Sequence, residues 1–294
     1  MKKLLIIVVL VGVLAWWLSG PNGLDPDVVP AHSPDLANGE RLFHAGGCAS
    51  CHGRLEDGKP QRDVMAGGLV MNSPVGAFHV PNISPDPEQG IGAWSDLDFL
   101  NAMQRGLAPD GSHYYPAFPY TSYARMTASD LLDLKAYLDQ LPADSNAVPD
   151  HGLGFPFNVR RGLGLWKRLF LDAAPVVTVP DGDDVLQRGR YLVEGPGHCG
   201  ECHTPRNAAQ ALDLGRWLEG GPNPDGEGRV PGLTPARDAF ADWSRDDIAY
   251  YLEAGVDPEF DVVGGTMAAV QANMSRLPAK DREAIAAYLK ALQP

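Results

Sequence analysis

After Met1-Lys2-Lys3 the chain runs from Leu4 to Leu18 without a charge. Fifteen residues cover about 22 Å as helix, short of the roughly 30 Å of a bilayer core, and Ser19-Gly20-Pro21 can extend the run a little. No small-x-small cleavage site follows, and Trp16-Trp17 suit a membrane interface. The pattern predicts an uncleaved signal anchor over residues 1–20, in preference to a cleaved signal peptide. Its positive end stays cytoplasmic and the rest is exported, to the periplasmic side of a cell inner membrane. Beyond it the apolar spacing is helical. Asp35 can cap a helix through Phe43. Ser95-x-x-Asp98 and Ser244-x-x-Asp247 resemble capping boxes with Asp in place of Glu. The first is followed by an apolar face of Leu97, Leu100 and Met103, with Phe99 at its edge. Thr127-x-x-Asp130 opens a helix with Leu131, Leu134, Tyr137 and Leu138 on one face, and Ala284, Ile285, Tyr288 and Leu289 form a similar face near the end. No alternating run is long enough for a sheet, and the connections are rich in Pro and Gly.

The pattern occurs twice. Pro81-Asn82-Ile83-Ser84-Pro85 matches Pro231-Gly232-Leu233-Thr234-Pro235 at an offset of 150, Ala93-Trp94-Ser95-Asp96 matches Asp242-Trp243-Ser244-Arg245 at 149, and Ala136-Tyr137-Leu138 matches Ala287-Tyr288-Leu289 at 151. The expected organisation is an anchor (1–20), a linker (21–35), one all-α domain (36–145), an interdomain strap (146–180) and a second copy (181–294). The strap holds Arg160, Arg161, Lys167 and Arg168 among aromatics. A formal net charge of −13 excludes nucleic acid as a partner, because phosphate binding needs a basic face. It either serves solubility or complements a basic docking patch on a redox partner.

All four cysteines fall in two pentads, Cys48-Ala49-Ser50-Cys51-His52 and Cys199-Gly200-Glu201-Cys202-His203. Cys-x-x-Cys-His is a c-type haem attachment pattern. Two thiols on one helical turn can form thioethers to the two vinyl groups of a porphyrin, and the next residue offers imidazole to the iron. A thioredoxin-like motif needs no following histidine and wants βαβ surroundings. A zinc site would have to join pairs 147 residues apart. The pentads therefore predict two covalently bound haem c groups, held by Cys48, Cys51, Cys199 and Cys202 with His52 and His203 as metal ligands. Haem attachment outside the cytoplasm agrees with the export signal. A small domain has a limited core, and a porphyrin would supply much of its apolar centre. The strap's basic residues could meet the propionates.

The two halves resemble class I cytochrome c domains. The region from about residue 36 onward is similar to the cytochrome c subunits of membrane-bound alcohol, gluconate and related dehydrogenases. Gly90-Ile91-Gly92-Ala93-Trp94-Ser95, Tyr115-Pro116-Ala117-Phe118-Pro119-Tyr120, Cys202-His203-Thr204-Pro205-Arg206-Asn207 and Gly265-Thr266-Met267 carry the resemblance, with the Pro81 and Gly195–Cys199 segments. Those subunits commonly carry three haems; this chain has two pentads. The resemblance implies that the carbonyls of Pro81 and Pro231 accept the Nδ1–H of His52 and His203. It implies that Trp94 and Trp243 donate to a propionate, plain core packing being the alternative. It points to Met267 as sixth ligand of the second iron, with Met274 as rival. Related chains often have methionine where this one has Phe118. Met126 is the next thioether downstream and is taken as the first iron's ligand, with Met65, Met71, Met103 and His113 as other candidates.

The expected function is single-electron transfer in a respiratory chain. The donor would be a dehydrogenase subunit or quinol, and the acceptor an oxidase or a soluble cytochrome. An electron carrier, or the electron-transfer subunit of a dehydrogenase, is favoured over a catalyst. The alternative is a dihaem peroxidase, which needs one iron that can open and acid–base groups beside it. A sulfur-oxyanion oxidoreductase would want a distal Cys or His, and no cysteine is spare.

Overall fold

The structure is a computed structural model that describes residues 1–223, 226, 228–235 and 241–292. Helix α1 (Lys2–Leu18) comes first. A first helical set follows: α2 (Leu36–Ala45), α3 (Cys48–His52), α4 (Asp96–Arg105), α5 (Tyr120–Tyr123) and α6 (Ala128–Leu138). Then come α7 (Gly162–Phe170) and a second set: α8 (Asp184–Glu194), α9 (Gly200–His203), α10 (Arg245–Ala254), α11 (Met267–Met274) and α12 (Ala279–Ala291). The anticipated caps form. The Asp35 carboxylate accepts from the N–H groups of Ala37 and Asn38. Ser95 with Asp98 and Ser244 with Asp247 complete reciprocal capping boxes. Asp130 N–H donates to Thr127 Oγ1. Each satisfies amide donors that the first helical turn leaves without a partner.

The two sets pack alike. α2 lies on α6 and α8 on α12, while α4 and α10 lean on those pairs. Leu100, Leu131, Leu134 and Phe43 centre the first core; Ile248, Ile285, Tyr288 and Leu289 centre the second. Phe99, expected at the edge of its face, is buried. Both crossings depend on a missing side chain. A Cβ on Gly39 would overlap the Asp133 carbonyl and the Tyr137 Cβ, and one on Gly189 would overlap the Ala284 carbonyl and the Tyr288 Cβ. Alanine favours a helix by about 1 kcal/mol over glycine, but overpacking here costs about 1–3 kcal/mol. Gly39→Ala and Gly189→Ala are each expected to lower the thermal midpoint. An unchanged or raised midpoint would contradict the crossing geometry.

The first crossing is also wired by polar groups. Asp133 is buried on α6 and accepts from Asn38 Nδ2 (2.8 Å), the Asp35 N–H (2.7 Å) and His32 Nε2 (2.6 Å). Burial opposes its ionisation, but the bonds from Asn38, His32 and Asp35 outweigh it and hold the carboxyl below the usual range. A depressed acid stabilises the fold above its unfolded value of about 3.9, and the contribution is lost as pH falls through the folded value. Acid unfolding followed by far-UV circular dichroism should therefore lose part of its steepness in Asp133→Asn. An identical acid limb would refute this.

The all-α expectation is corrected by short paired strands, which backbone pairing between neighbouring loop segments builds without a long alternating run. The main piece is a hairpin, Val70–Ser73 with Gly76–His79, whose second strand also pairs with Gly152–Leu153. The strap's basic side chains Arg161, Lys167 and Arg168 take helix-end carbonyls as partners. Lys167 Nζ donates to the carbonyls of Arg105 (2.6 Å) and Gly106 (3.0 Å) at the end of α4. Arg161 and Arg168 donate to the carbonyls of Trp16 and Leu18 at the end of α1. Helix C-termini present bare carbonyls and the negative end of the dipole, so cations settle there. Burial brings the Lys167 ammonium down to about 7.

Residues 1–14 are exposed throughout. At 17 residues α1 measures about 25 Å. Among the described residues no helix is long and apolar enough to cross a membrane.

Candidate haem-attachment sites

Each pentad begins just after a helix ends and the chain reverses. α2 stops at Gly46, Gly47 adopts φ +58°, and α3 starts at Cys48. In the second half α8 stops at Gly195, His198 adopts φ +38°, and Cys199 begins the short turn of α9. All four cysteines are free of disulfides. Burial pushes the thiols of Cys48 and Cys199 up to about 12. A disulfide-exchange centre needs the opposite shift, toward thiolate, so the redox-motif alternative finds no support. Among the described residues no group of three or more His, Cys, Asp or Glu could hold a metal ion, so the two cysteine pairs do not converge on a zinc site.

His52 Nδ1 donates to the Pro81 carbonyl at 2.9 Å, and His203 Nδ1 to the Pro231 carbonyl at 2.8 Å. A carbonyl only accepts, so each ring carries its proton on Nδ1 and leaves the Nε2 lone pair free. Burial lowers both imidazole pKa values against the raising effect of these bonds. The neutral ring is the ligating form. The surrounding backbone repeats as well. Gly67 N–H donates to the His52 carbonyl (2.8 Å), as Gly220 does to that of His203 (2.7 Å). Both glycines have positive φ, and a Cβ on either would overlap the backbone at Pro81 or Val230–Pro231. Sequence reasoning missed this pair, although both are glycines a short distance beyond a pentad. Trp94 is half-buried against the first core. Trp243 is buried, edge-on to Tyr251 with centroids 5.2 Å apart.

The thioethers divide into groups. Met267 opens α11, half-buried against the second core, and Met274 closes the same helix in full burial. In the first half the equivalent loop can be traced by its bonds. The Leu107–His113 bridge matches Val256–Val262, and Tyr114 N–H to Gly106 carbonyl matches Val263 to Gly255, all at an offset of 149. That frame puts Phe118 in the place of Met267. Its ring meets Tyr114, Tyr120 and Tyr123 edge to face. Two residues fewer follow, so Met126 pairs with Leu277: Met126 N–H to Tyr123 carbonyl matches Leu277 to Met274. Met126 is buried in the first core, its carbonyl accepting from Gln104 Nε2 (2.7 Å), and its Cγ faces Gly195 of the second half. Met65 and Met103 are buried core residues, and Met71 is half-buried in the hairpin. His113 Nε2 donates to the Ser19 carbonyl, which ties it to the end of α1.

Residues 36–142 match the cytochrome c family model. A "Diheme cytochrome c-type" protein of Cereibacter sphaeroides is 49% identical over 288 residues, covering 97% of this chain and 95% of its own. The chain belongs to the cytochrome c family. It is also similar to the "Fructose dehydrogenase cytochrome subunit" of Gluconobacter japonicus (35% identity, 91% of this chain, 54% of that one). The "Gluconate 2-dehydrogenase cytochrome c subunit" of Pantoea cypripedii is similar too (37%, 87% and 59%). The chain spans a little over half the length of those two relatives.

The role of this cytochrome is electron transfer by covalently held haem c. Its donor set fits that group: paired thiols a turn apart, with a neutral imidazole whose Nδ1–H is held by a carbonyl and whose Nε2 is left to ligate. A cavity of about 930 Å³ lies elsewhere in the second half, lined by Val177, Val179, Leu186, Trp217 and Leu292, and no pentad residue borders it.

Proposed function

We propose that the cytochrome is a dihaem electron carrier of the periplasmic face of an inner membrane. It would take single electrons from a dehydrogenase subunit or quinol and deliver them to an oxidase or a soluble cytochrome. The observation that carries the reading is the doubled frame in which His52 and His203 each lean on a proline carbonyl at 2.9 and 2.8 Å. Cys48 and Cys51 would hold one haem and Cys199 and Cys202 the other, with His52 and His203 on the proximal side. When bound, haem c supplies a one-electron ferric/ferrous couple. The chain's own part is to fix ring orientation through Pro81 and Pro231, which tunes the iron. Trp94 and Trp243 would donate to propionates. Met267 and Met126 would supply the thioethers that raise the potential and close the irons to substrate. The dehydrogenase donor is supported by the names of the fructose and gluconate dehydrogenase subunits, and the haem number by the dihaem relative.

The α1 helix is read as the anchor. It falls about 5 Å short of an average bilayer core. Snorkelling of Lys2 and Lys3 and local thinning can absorb that mismatch. Its outer end is gripped by the soluble region, where the Arg161 guanidinium sits 3.8 Å from the Trp16 ring centre.

One observation favours the peroxidase alternative: Phe118 stands where the second half has Met267. If Met126 does not reach the first iron, that iron is open. Membranes from cells expressing the full chain test the main reading. Two haems per chain by pyridine haemochrome, resistance to carbonate extraction and no peroxidase turnover are expected. One haem per chain, release by carbonate, or peroxide turnover would each overturn the corresponding part.

A further inference from the structure

The offsets that define the repeat also relate the contacts between its two halves. Ser50, inside the first pentad, accepts from Asn273 Nδ2 of α11 at 2.8 Å. Glu201, inside the second pentad, accepts from Ser122 Oγ of α5 at 3.2 Å and from Thr121 Oγ1 at 2.9 Å. Ser50 and Glu201 are 151 residues apart, and so are Ser122 and Asn273. Residue i of one half touches j of the other, and the mate of j touches the mate of i. That reciprocity defines an isologous contact about a two-fold axis, here within one chain.

The contact lies at the pentads themselves. His198, which precedes Cys199, donates from Nε2 to the carbonyl of Gly46, two residues before Cys48 (3.2 Å). A Cβ on Gly46 would sit 3.5 Å from both Cys48 Sγ and the Pro196 carbonyl oxygen. The Tyr123 ring stands edge-on to the His198 imidazole, centroids 5.8 Å apart, and edge-on to Phe118 at 5.6 Å. Ala45 at the end of α2 belongs to the second core, and Tyr191 of α8 packs against the first. At the centre of the joint Tyr123, Met274 and Asn273 are all buried. Burial, then Cys48, Cys51 and Glu201, raises the Tyr123 phenol well above its ordinary value, which agrees with a ring lying between the two attachment sites.

We propose that this pseudo-two-fold joint is the route by which an electron passes between the two attachment sites, with the rings of Tyr123 and His198 as its central medium. The inference rests on the two-haem reading above. The step balances simply: one ferrous site becomes ferric as the other becomes ferrous, and no bond or proton moves. Tyr123 keeps its proton and its electrons, so the ring matters and the hydroxyl does not. Two domains joined this way form one conductor, in which a donor docked on one half serves an acceptor docked on the other. Simple tethering by the strap would not need each pentad to touch the opposite half.

The test uses the full holoprotein. Haem per chain is counted first, both midpoint potentials are measured, and substoichiometric reduction by pulse radiolysis is followed by absorbance. The wild type is expected to show a relaxation whose rate does not depend on protein concentration. Tyr123→Leu should lose that phase on the wild-type timescale with two haems and both potentials retained, while Tyr123→Phe should keep it. His198→Gly is the second variant, because glycine accepts the positive φ without strain, and it should also lose the phase. A wild type without the phase, unchanged relaxation in both the Leu and Gly variants, or loss in Tyr123→Phe would overturn the route as drawn. A count of one haem per chain would overturn the two-haem reading, and the route with it.

Discussion

Changing Cys199 and Cys202 together to serine should leave a protein with half the wild-type haem, read as one haem per chain, and a second half that unfolds well before the first. The reason is local and then global. The four cysteines are free of disulfides and each pentad has its own histidine frame, so neither site can borrow a thiol from the other. The second core gathers Ile248, Ile285, Leu289 and Trp243 in a unit of about 110 residues whose own apolar burial is modest. Losing a group that binds only the folded state removes its binding free energy from stability. The cost should exceed the roughly 1 kcal/mol of an ordinary substitution. Haemochrome content and a two-step thermal transition measure the two consequences. Full haem content in the double variant would show that Cys199 and Cys202 do not attach it. Haem lost from both halves would show that the first half cannot mature alone.

Met267→Ala should lower one midpoint potential by on the order of 0.1 V, within the span of about 0.8 V that axial ligands command. It should also remove one share of the weak far-red thioether–iron band. A thioether favours the ferrous state, so its loss favours the ferric one. Met126→Ala should do the same to the other midpoint and open that iron to carbon monoxide. The two claims differ in footing. Met267 opens α11 in the loop where the resemblance expects a ligand, whereas Met126 takes the place of Leu277 and Phe118 takes that of Met267. Phe118→Met therefore separates the possibilities. If the first iron of the wild type lacks a thioether, this change should create the far-red band. If Met126 already ligates, the spectrum should change little. An unchanged band and potential in Met267→Ala would pass the second site to Met274. A high-spin first haem in the wild type, indifferent to Met126→Ala, would refute Met126 and favour the peroxidase reading.

What could be read from the sequence was what depends on near neighbours in the chain. A pentad must be contiguous because one porphyrin edge is served by one helical turn. Caps at Asp35, Ser95, Thr127 and Ser244 are decided within three residues, and the faces of α6 and α12 follow from helical spacing. The repeat was visible because two copies of one fold must put the same kinds of residue at the same intervals. Tertiary structure decided whatever joins distant segments. The hairpin at Val70–Ser73 and Gly76–His79 is too short and too weakly alternating to announce itself. Lys167, Arg161 and Arg168 are cations in the sequence, but only packing brings bare helix-end carbonyls to them. The two-residue difference that follows Phe118 and Met267 and sets Met126 against Leu277 is a matter of register that the sequence already suggested and the backbone bonds repeat. The joint at Ser50–Asn273 and Glu201–Ser122 links residues 223 and 79 positions apart. No local preference encodes such pairs; they form because two similar units, covalently linked, bury their facing surfaces against each other.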